Sequence, residues 1–442
     1  MAPSHVLGSA LFCILGITAC GSSSSGSSGT ESHGAQVVGD GNVARSALSR
    51  DTAPAVAADD AKVFVEDQAA FAVSLYKVVA TDSGTNVFFS PHGISSVLAM
   101  TYAGARGQTA TEMKTALQFS LPSERLHSAF NALDLALAGR GAKAKDGMPF
   151  QLSIARSAWA QQNESFAMPF LDTLAVHHGA GVELVDFAGA PEPSRLRINE
   201  WVANRTAERI PELLSPNILT SSTRMVLVNA VYFNAAWSYP FDTSATTPAP
   251  FMKLDGATTD VATMRGEAYR GFVATDEYEA VSMPYDGNEL DMVAIVPRLG
   301  AFASFEASLT GTKMLGILDG LSPSMVDLSY PKLAIEAKLG LAPALRALGM
   351  EAAFDEHAAD FSGIGPWRPY VMDVLHNSFL DVNERGTEAA ATTAVIVGEG
   401  SGGAPPPHVR MVVDRPFVVA IVDRSTKTLL FLGRVLEPNA AP

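Results

Sequence analysis

The sequence predicts one large α+β domain in which helices pack on mixed β-sheets. Apolar residues recur at helical spacing in the first half of the chain, strand-like runs dominate the second half, and no internal repeat is visible. Of the 442 residues, 47% are hydrophobic and 17% are charged. The chain can therefore bury a large core and is not typical of a disordered polymer.

Charge and cysteine content narrow the classes of function. The formal net charge is −15, from 31 basic and 46 acidic residues, which argues against a nucleic-acid partner because such proteins carry basic stripes. The two cysteines, Cys13 and Cys20, both precede the predicted domain. Neither a disulfide framework nor a cysteine-based zinc site is therefore expected to hold the fold.

The N-terminus has the pattern of an export signal. Residues 6–19 are mostly apolar or small, too few for a membrane span but typical of a signal-peptide core. Ile17-Thr18-Ala19-Cys20 resembles a bacterial lipobox, which implies cleavage before Cys20 and attachment of a lipid to its sulfur. The alternative is an ordinary cleaved signal and a secreted protein.

These features divide the chain into three parts. Residues 1–19 are the predicted signal peptide, residues 20–58 a flexible tether rich in Ser, Gly and Ala, and residues 59–442 the folded domain. We expect an exported protein that contacts the membrane only through its lipid and faces the periplasm or the cell exterior.

The first half of the domain contains three predicted helices and one short strand. Apolar spacing predicts a helix over 60–80, and residues 87–89 form a strand-like run. Ser90-Pro91 is typical of an N-cap with proline at the first helical position, and so begins the second helix. Thr109 and Glu112 stand three residues apart and predict a capping box at the start of the third.

The second half of the domain is predicted to consist mainly of strands. They are predicted over 225–233, over 290–296, over 326–337 with alternation around Pro331, over 374–383, and as a hairpin of 417–422 with 429–432 turned at Asp423-Arg424-Ser425.

The stretch over 384–408 does not fit an ordinary compact domain. If residues 387–397 were extended, one face would present only small or β-branched uncharged residues: Thr387, Ala389, Ala391, Thr393, Val395 and Val397. Residues 398–407 are rich in glycine and proline, which is typical of an exposed loop. A segment with the composition of a buried strand thus sits in a surface connection, and a connection this long is functional or else a plain flexible loop.

Five segments carry a resemblance to a known family. They are residues 86–91, residues 198–202, residues 229–233 with Trp237, the run Glu384-Arg385-Gly386-Thr387-Glu388-Ala389-Ala390-Ala391-Thr392, and residues 411–421 followed by 431–435. In this order they resemble the serpins, a family of serine protease inhibitors, from about residue 59 to the C-terminus. The run from Glu384 to Thr392 resembles the family's reactive-loop hinge, and the last segment resembles its C-terminal signature.

The resemblance implies a fold and a mechanism. It implies a single α+β domain with helices packed on three mixed or antiparallel sheets and an exposed reactive-centre loop at about 384–408. In this family a protease cleaves the loop as a substrate, forms an acyl-enzyme, and is trapped when the loop inserts into the main sheet. Insertion would add roughly ten backbone hydrogen bonds at about 0.5–1.5 kcal/mol each, so the uncut state is metastable.

The hinge composition favours an inhibitor. Thr387, Ala389 and Ala391 are small, and a large or charged residue at these inward positions would slow insertion and let the protease escape. We therefore expect a monomeric protease inhibitor that is not an enzyme, needs no cofactor or metal, and forms a covalent acyl complex with its target.

The resemblance also implies a polar cluster beneath the sheet, called the shutter in this family. Ser90, Asn229 and His376 match its members, and Gly93 stands where a serine is often found. The plain alternative for His376 is a hydrogen-bonded core histidine.

A second cluster, called the breach, lies where the loop first enters the sheet. Trp237, Lys332 and Glu384 match its members. We expect Lys332 and Glu384 to form a partly exposed ion pair worth about 0–1 kcal/mol.

The site of cleavage follows from the family's spacing. Counting Gly386 as the fifteenth residue before the cut places the scissile bond between Gly400 and Ser401, with Glu399 and Val397 as alternative residues before the cut. No Lys, Arg or aromatic residue lies between positions 388 and 407, which disfavours trypsin-like and chymotrypsin-like targets. We expect a small-residue-specific serine protease of the elastase or subtilisin type.

Several alternatives remain open at this point. A cut after Glu399 would suit a glutamate-specific protease, the target could instead be a papain-like cysteine protease, and the chain could be a non-inhibitory binding protein with the same fold. Ser74 and Lys77 have the Ser-x-x-Lys spacing of some acyl enzymes, which we interpret as a surface turn of the first helix. His177-His178 is interpreted as a pair of solvated loop histidines, because adjacent side chains point to different faces and no third ligand is near.

Overall fold

The computed structural model describes residues 42–81, 84–145, 148–387 and 407–438. Several predicted sites lie outside these ranges: the signal peptide, Cys20, the hinge residues Glu388, Ala389, Ala390, Ala391 and Thr392, and the cleavage positions Val397, Glu399, Gly400 and Ser401.

Nine α-helices lie in the described ranges. They are α1 (Ala58–Val79), α2 (Pro91–Tyr102), α3 (Gly107–Ala116), α4 (Ser123–Ala138), α5 (Met168–His178), α6 (Pro191–Arg205), α7 (Phe302–Ser308), α8 (Gly311–Gly320) and α9 (Ala342–Ala347). None of these helices combines the length and the apolar character that a membrane span requires.

The same ranges contain sixteen strands. They are β1 (Val43–Ala44), β2 (Val87–Phe89), β3 (Phe150–Gln161), β4 (Val182–Val185), β5 (Met225–Ala236), β6 (Thr247–Met252), β7 (Thr258–Ala274), β8 (Tyr278–Pro284), β9 (Leu290–Pro297), β10 (Ser322–Pro331), β11 (Leu333–Gly340), β12 (Val374–Asn383), β13 (Gly386–Thr387), β14 (His408–Val412), β15 (Phe417–Asp423) and β16 (Leu429–Val435).

The strands form two sheets, not the three that the resemblance implied. The seven-stranded sheet has the order β1-β4-β3-β5-β13-β12-β11, and the nine-stranded sheet has the order β14-β10-β7-β8-β9-β15-β16-β2, with β6 paired to β7. The difference arises at β7, a strand of 17 residues that pairs with β6 and β10 along most of its length and with β8 at its end. Because β7 is continuous, it joins β6 and β10 to β8 in a single sheet. A break in β7 would have divided these strands between two sheets. The predicted α+β class is confirmed.

Helix α2 lies in the core beneath the seven-stranded sheet and contacts β3 and β5. Its predicted start is confirmed: the Ser90 hydroxyl accepts a hydrogen bond from the Gly93 amide at 3.2 Å, and Pro91 occupies the first helical position. This cap holds the N-terminus of α2 directly below β12, so that Ser90 is available to the strands above it.

One local prediction is wrong because tertiary partners replace the local ones. Thr109 and Glu112 do not form a capping box; the Thr109 hydroxyl accepts from the amide of Asp360, and the Glu112 carboxylate accepts from the amides of Glu351 and Ala352. The predicted strand structure around Pro331 is present as two strands, β10 and β11, which belong to different sheets and meet at Lys332.

The folded part begins well before residue 59, so the predicted tether is too long at its C-terminal end. β1 pairs with the edge strand β4, the Ser46 hydroxyl donates to Asp172 at 2.5 Å, and the Asp51 amide donates to the Val176 carbonyl oxygen at 2.9 Å. Arg50 donates from Nε to the side-chain oxygen of Asn131 at 2.7 Å. Val43 and Ala44 extend the sheet edge through backbone pairing, which composition does not encode.

Candidate functional site: the hinge, the breach and the shutter

The seven-stranded sheet has a gap between β5 and β12. At one end the two strands pair directly and the gap is closed, and at the other end β13 lies between them. Strands β5 and β12 pair in parallel from Val374–Leu227 to Ser378–Val231, where their direct contact ends. Beyond that point the two residues of β13 lie between them and pair antiparallel with both. The first residues of the predicted hinge have thus already entered the sheet.

Gly386 is required at this entry by close approach of two backbones. A Cβ atom built on Gly386 would collide with the carbonyl oxygen of Ala235 and would lie 2.8 Å from the Cα of Ala236. Only glycine lets the chain pass this close to β5. The structure thereby supplies a physical reason for the glycine in the hinge pattern.

Thr387 follows and carries its side chain into the interior. It is 1% exposed, and its hydroxyl lies 2.6 Å from the phenol oxygen of Tyr285. The Tyr285 ring stacks on Trp237 with centroids 4.5 Å apart and an interplanar angle of 18°. The hinge therefore rests on an aromatic platform that includes one predicted breach residue.

Backbone groups of the turn before Gly386 are bound by the segment that follows β5. The Trp237 amide donates to the Arg385 carbonyl oxygen at 2.8 Å, and the Trp237 indole donates to that of Asn383 at 3.0 Å. The Phe241 amide donates to the Glu384 carbonyl oxygen at 2.8 Å. Trp237 thus bridges both ends of the turn.

Lys332 and Glu384 meet at the breach, as the resemblance implied. The lysine Nζ lies 2.9 Å and 3.2 Å from the two carboxylate oxygens, and the Thr246 hydroxyl donates to the carboxylate at 2.8 Å. The Glu384 side chain is 10% exposed and that of Lys332 is 39% exposed. Burial alone would raise the pKa of Glu384, but the bonds from Lys332 and Thr246 outweigh it and lower the pKa. The pair is more buried on the acidic side than the sequence suggested.

The three predicted shutter residues also come together, at the closed end of the gap. His376 donates from Nδ1 to the Asn229 side-chain oxygen at 2.7 Å, and its Nε2 accepts from the Ser90 amide at 3.0 Å. All three are buried, and burial lowers the pKa of His376 to about 3. The imidazole is therefore neutral, with the single tautomer that satisfies both bonds.

The glycine in the shutter has a steric reason. A Cβ on Gly93 would lie 2.5 Å from the side-chain nitrogen of Asn229 and 2.7 Å from its oxygen. A serine here would displace the amide that accepts the His376 bond. The departure from the family pattern at this position makes room for Asn229.

Sequence reasoning missed three residues of the site. Thr246 and Tyr285 are brought to the hinge from other parts of the chain, and the Ser378 hydroxyl donates to the Phe88 carbonyl oxygen at 2.8 Å next to the shutter. Only Ser378 had a signal, because a buried polar residue inside a strand needs a partner. No local pattern marks Thr246 or Tyr285.

The histidine pair is not a pair of solvated loop residues, and this prediction is wrong. His177 and His178 end α5, and the buried His178 lies 3.1 Å from the Nδ1 of His127. Burial, aided by the nearby His177, lowers the pKa of His127 to about 3. Within the described ranges no group of three His, Cys, Asp or Glu side chains is placed to hold a metal ion.

The Ser-x-x-Lys spacing does not gain support as an acyl-enzyme site. The Lys77 amine donates to the carbonyl oxygen of Ala307 at 2.8 Å, so its hydrogen bond goes to the last turn of α7 and not to Ser74.

Comparisons with known proteins identify the family to which this architecture belongs. The profile of the family described as Serpin (serine protease inhibitor) matches residues 66–438. An uncharacterised serpin-like protein of Thermococcus kodakarensis is 36% identical over 370 residues, which cover 84% of each chain. Leukocyte elastase inhibitor A of Mus musculus is 34% identical over 379 residues, 83% of this chain and 97% of its own. The crystal structure of the thermophilic serpin tengpin in the native state matches with a TM-score of 0.75 and 27% identity, covering 88% of this chain and 96% of tengpin.

The fold and the site define an α+β protein whose large sheet admits a segment between two of its strands. The chain belongs to the serpin family, since the profile and the relatives cover most of its length. Serpins are in general protease inhibitors rather than enzymes, and they typically form complexes with their target proteases.

Proposed function

We propose that this protein inhibits a serine endopeptidase as a suicide substrate. The observation that carries the proposal is the position of β13, which has entered the gap between β5 and β12 while the far end of the gap is still closed. The sheet thus has a prepared entrance for the residues that follow Thr387.

The chemistry of trapping requires one covalent step. The protease's serine oxygen attacks the scissile carbonyl carbon, the C–N bond breaks, and the new amine leaves with a proton, so that the inhibitor remains bound as an ester. Loop residues after Thr387 then insert downward from β13. Completion of the insertion carries the ester away from the loop's original position before water can hydrolyse it.

The energetics of insertion follow from the pairing. Full insertion replaces the parallel contact of β5 with β12 by two antiparallel ladders, and antiparallel pairing is slightly more stable per residue. The His376–Asn229 bond spans two residues that face each other in that parallel contact, so it must break as the strands part. The shutter is therefore a barrier that holds the uncut state, consistent with a kinetically trapped native protein.

The target is assigned from the loop composition. The absence of Lys, Arg and aromatic residues over 388–407 favours a small-residue-specific protease of the elastase or subtilisin type, with cleavage between Gly400 and Ser401. The similarity to a relative named leukocyte elastase inhibitor supports this class. The experiment below also detects the two alternatives, which are cleavage after Glu399 by a glutamate-specific protease and trapping of a papain-like cysteine protease.

The test is incubation of the chain from Gly21 onward with subtilisin, elastase, a glutamyl endopeptidase and papain. We expect a band at the summed mass that survives boiling, and a released peptide that begins at Ser401 by mass spectrometry. Clean cleavage by every enzyme, with no complex and no rise in melting temperature of the cut protein, would contradict inhibition and favour a non-inhibitory binding protein.

We also propose that the protein is exported and lipidated at Cys20. The support is the apolar stretch over 6–19 together with the run Ile17-Thr18-Ala19-Cys20 at its end. Labelled fatty acid should be incorporated into the bacterially expressed protein and lost in Cys20→Ser, whereas Cys13→Ser should retain it. Secretion without label would favour an ordinary cleaved signal.

A further inference from the structure

The bond between Tyr285 and Thr387 joins the hinge to the second sheet at the point of entry. Tyr285 directly follows β8 of the nine-stranded sheet, whereas Thr387 lies in β13 of the seven-stranded sheet. Their oxygens are 2.6 Å apart, and the two residues are 0% and 1% exposed. The contact is a hydrogen bond between two hydroxyl groups from which water is excluded.

The tyrosine side of this bond is fixed in place. Its ring stacks on Trp237 at 4.5 Å and meets the edge of Phe233 at 4.8 Å, and its backbone amide donates to the Leu290 carbonyl oxygen at 3.0 Å. Burial raises the pKa of the phenol well above its ordinary value, so the group stays protonated and either hydroxyl can donate to the other. A buried hydroxyl without a partner costs more than the bond gains, so Tyr285 favours a hydroxyl-bearing residue at 387.

This arrangement bears on how insertion begins. A strand entering a sheet must first fix a few residues before later pairs can form, and this first step is the slow one because chain entropy is lost with little return. Here Thr387 is already paired with Val382 and Ala235 before any cut. Insertion can then continue from an existing end.

We propose that Tyr285 is a positioning residue that anchors Thr387 in the sheet and thereby primes loop insertion. The proposal rests on the proposed inhibitory function for its kinetic consequence. Its structural part, the anchored hinge, stands independently of any protease. Without the anchor, the hinge leaves the gap, insertion after acylation starts later, and more protease escapes by hydrolysis of the ester.

The test uses full-length Tyr285→Phe, which keeps the ring and removes the hydroxyl. Hydrogen exchange read by mass spectrometry should show the backbone amides of 384–387 exchanging about tenfold faster or more, the effect expected when a buried hydrogen bond that holds a segment is lost. The number of inhibitor molecules consumed per protease trapped should rise several-fold. Tyr76→Phe is the matched control, because Tyr76 is equally buried but its hydroxyl donates to the Glu306 carboxylate of α7 and not to the hinge.

A second variant separates anchoring from a general packing role. Thr387→Val should reproduce the effect, and the double variant with Tyr285→Phe should recover most of it, since two apolar groups of similar shape then meet with no unpaired hydroxyl. Unchanged exchange in Tyr285→Phe, or a double variant as impaired as the sum of the singles, would overturn the anchor. If the parent protein traps no protease, the proposed inhibition fails, while the exchange data still decide the anchor.

Discussion

His376 Nδ1 and the Asn229 side-chain oxygen lie 2.7 Å apart across β12 and β5, the two strands that must separate for a segment to enter the sheet fully. The bond lies at the third of five paired positions in the closed end of the gap. Its strength therefore bears directly on how easily the sheet opens.

We predict that Asn229→Ala destabilises the uncut protein and accelerates spontaneous loop insertion. The substitution leaves the His376 Nδ1–H buried without an acceptor, which costs about 1–3 kcal/mol of unfolding free energy. Urea unfolding and the loss of inhibitory capacity during warm incubation measure the two effects. Asn234→Ala on the same strand is the control, since Asn234 bonds to Tyr232 outside the shutter. Equal effects of both variants would contradict a gating role for the shutter.

We predict that the protein loses stability as the pH falls below about 6.5. Burial lowers the pKa values of His376 and His127 from 6.5 to about 3, so between these pH values the unfolded chain binds protons that the folded protein does not. Each histidine then removes about 1.4 kcal/mol of unfolding free energy per pH unit on acidification.

Urea unfolding measured from pH 7.5 down to pH 4.5 tests this. His376→Asn should reduce the slope of stability against pH by about one such increment, and His127→Asn should reduce it by a similar amount. A slope that is the same in all three proteins would show that His376 is not a source of acid lability.

We predict that Lys332→Met costs more than a surface ion pair would. The Glu384 carboxylate would keep the Thr246 bond but lose its positively charged partner while its side chain is only 10% exposed, so a loss of about 1–3 kcal/mol of unfolding free energy is expected. Lys338→Met is the matched control, because Lys338 pairs with Glu336 at 61% and 37% exposure and should contribute about 0–1 kcal/mol. Equally small losses of unfolding free energy in both variants, measured by chemical unfolding, would show that the Lys332–Glu384 pair contributes no more than a surface ion pair.

We predict that Gly386→Ala converts the protein from inhibitor to substrate. The added Cβ would collide with the backbone of β5 and expel β13 from the gap. Proteases should then cleave the loop without forming a complex, and the cut protein should show no rise in melting temperature. Gly316→Ala is the control, since its Cβ meets nothing within 4 Å in α8 and should be neutral or stabilising. Persistent complex formation by Gly386→Ala would refute the entry mechanism.

Much of the candidate site could be read from the sequence because its signals are local. The N-cap at Ser90 depends on neighbouring residues, and strand β12 follows from alternation along one segment. The hinge was recognisable from its small residues and from a glycine whose steric reason the structure supplies. The end of the tether was misplaced because backbone pairing of β1 at the sheet edge leaves no side-chain pattern.

The amino-acid sequence by itself determined the α+β class, the family resemblance and the residue types at the shutter and breach, since periodicity, capping and short motifs act over a few residues. Only the tertiary structure decided that Thr387 is already inserted and that Tyr285 holds it, because the two hydroxyls are 102 residues apart along the chain. It also decided that β7 joins two sheets into one and that His178 is buried against His127. Contacts of this kind depend on how distant elements pack, and burial then sets both the cost of an unpaired polar group and the pKa of each histidine.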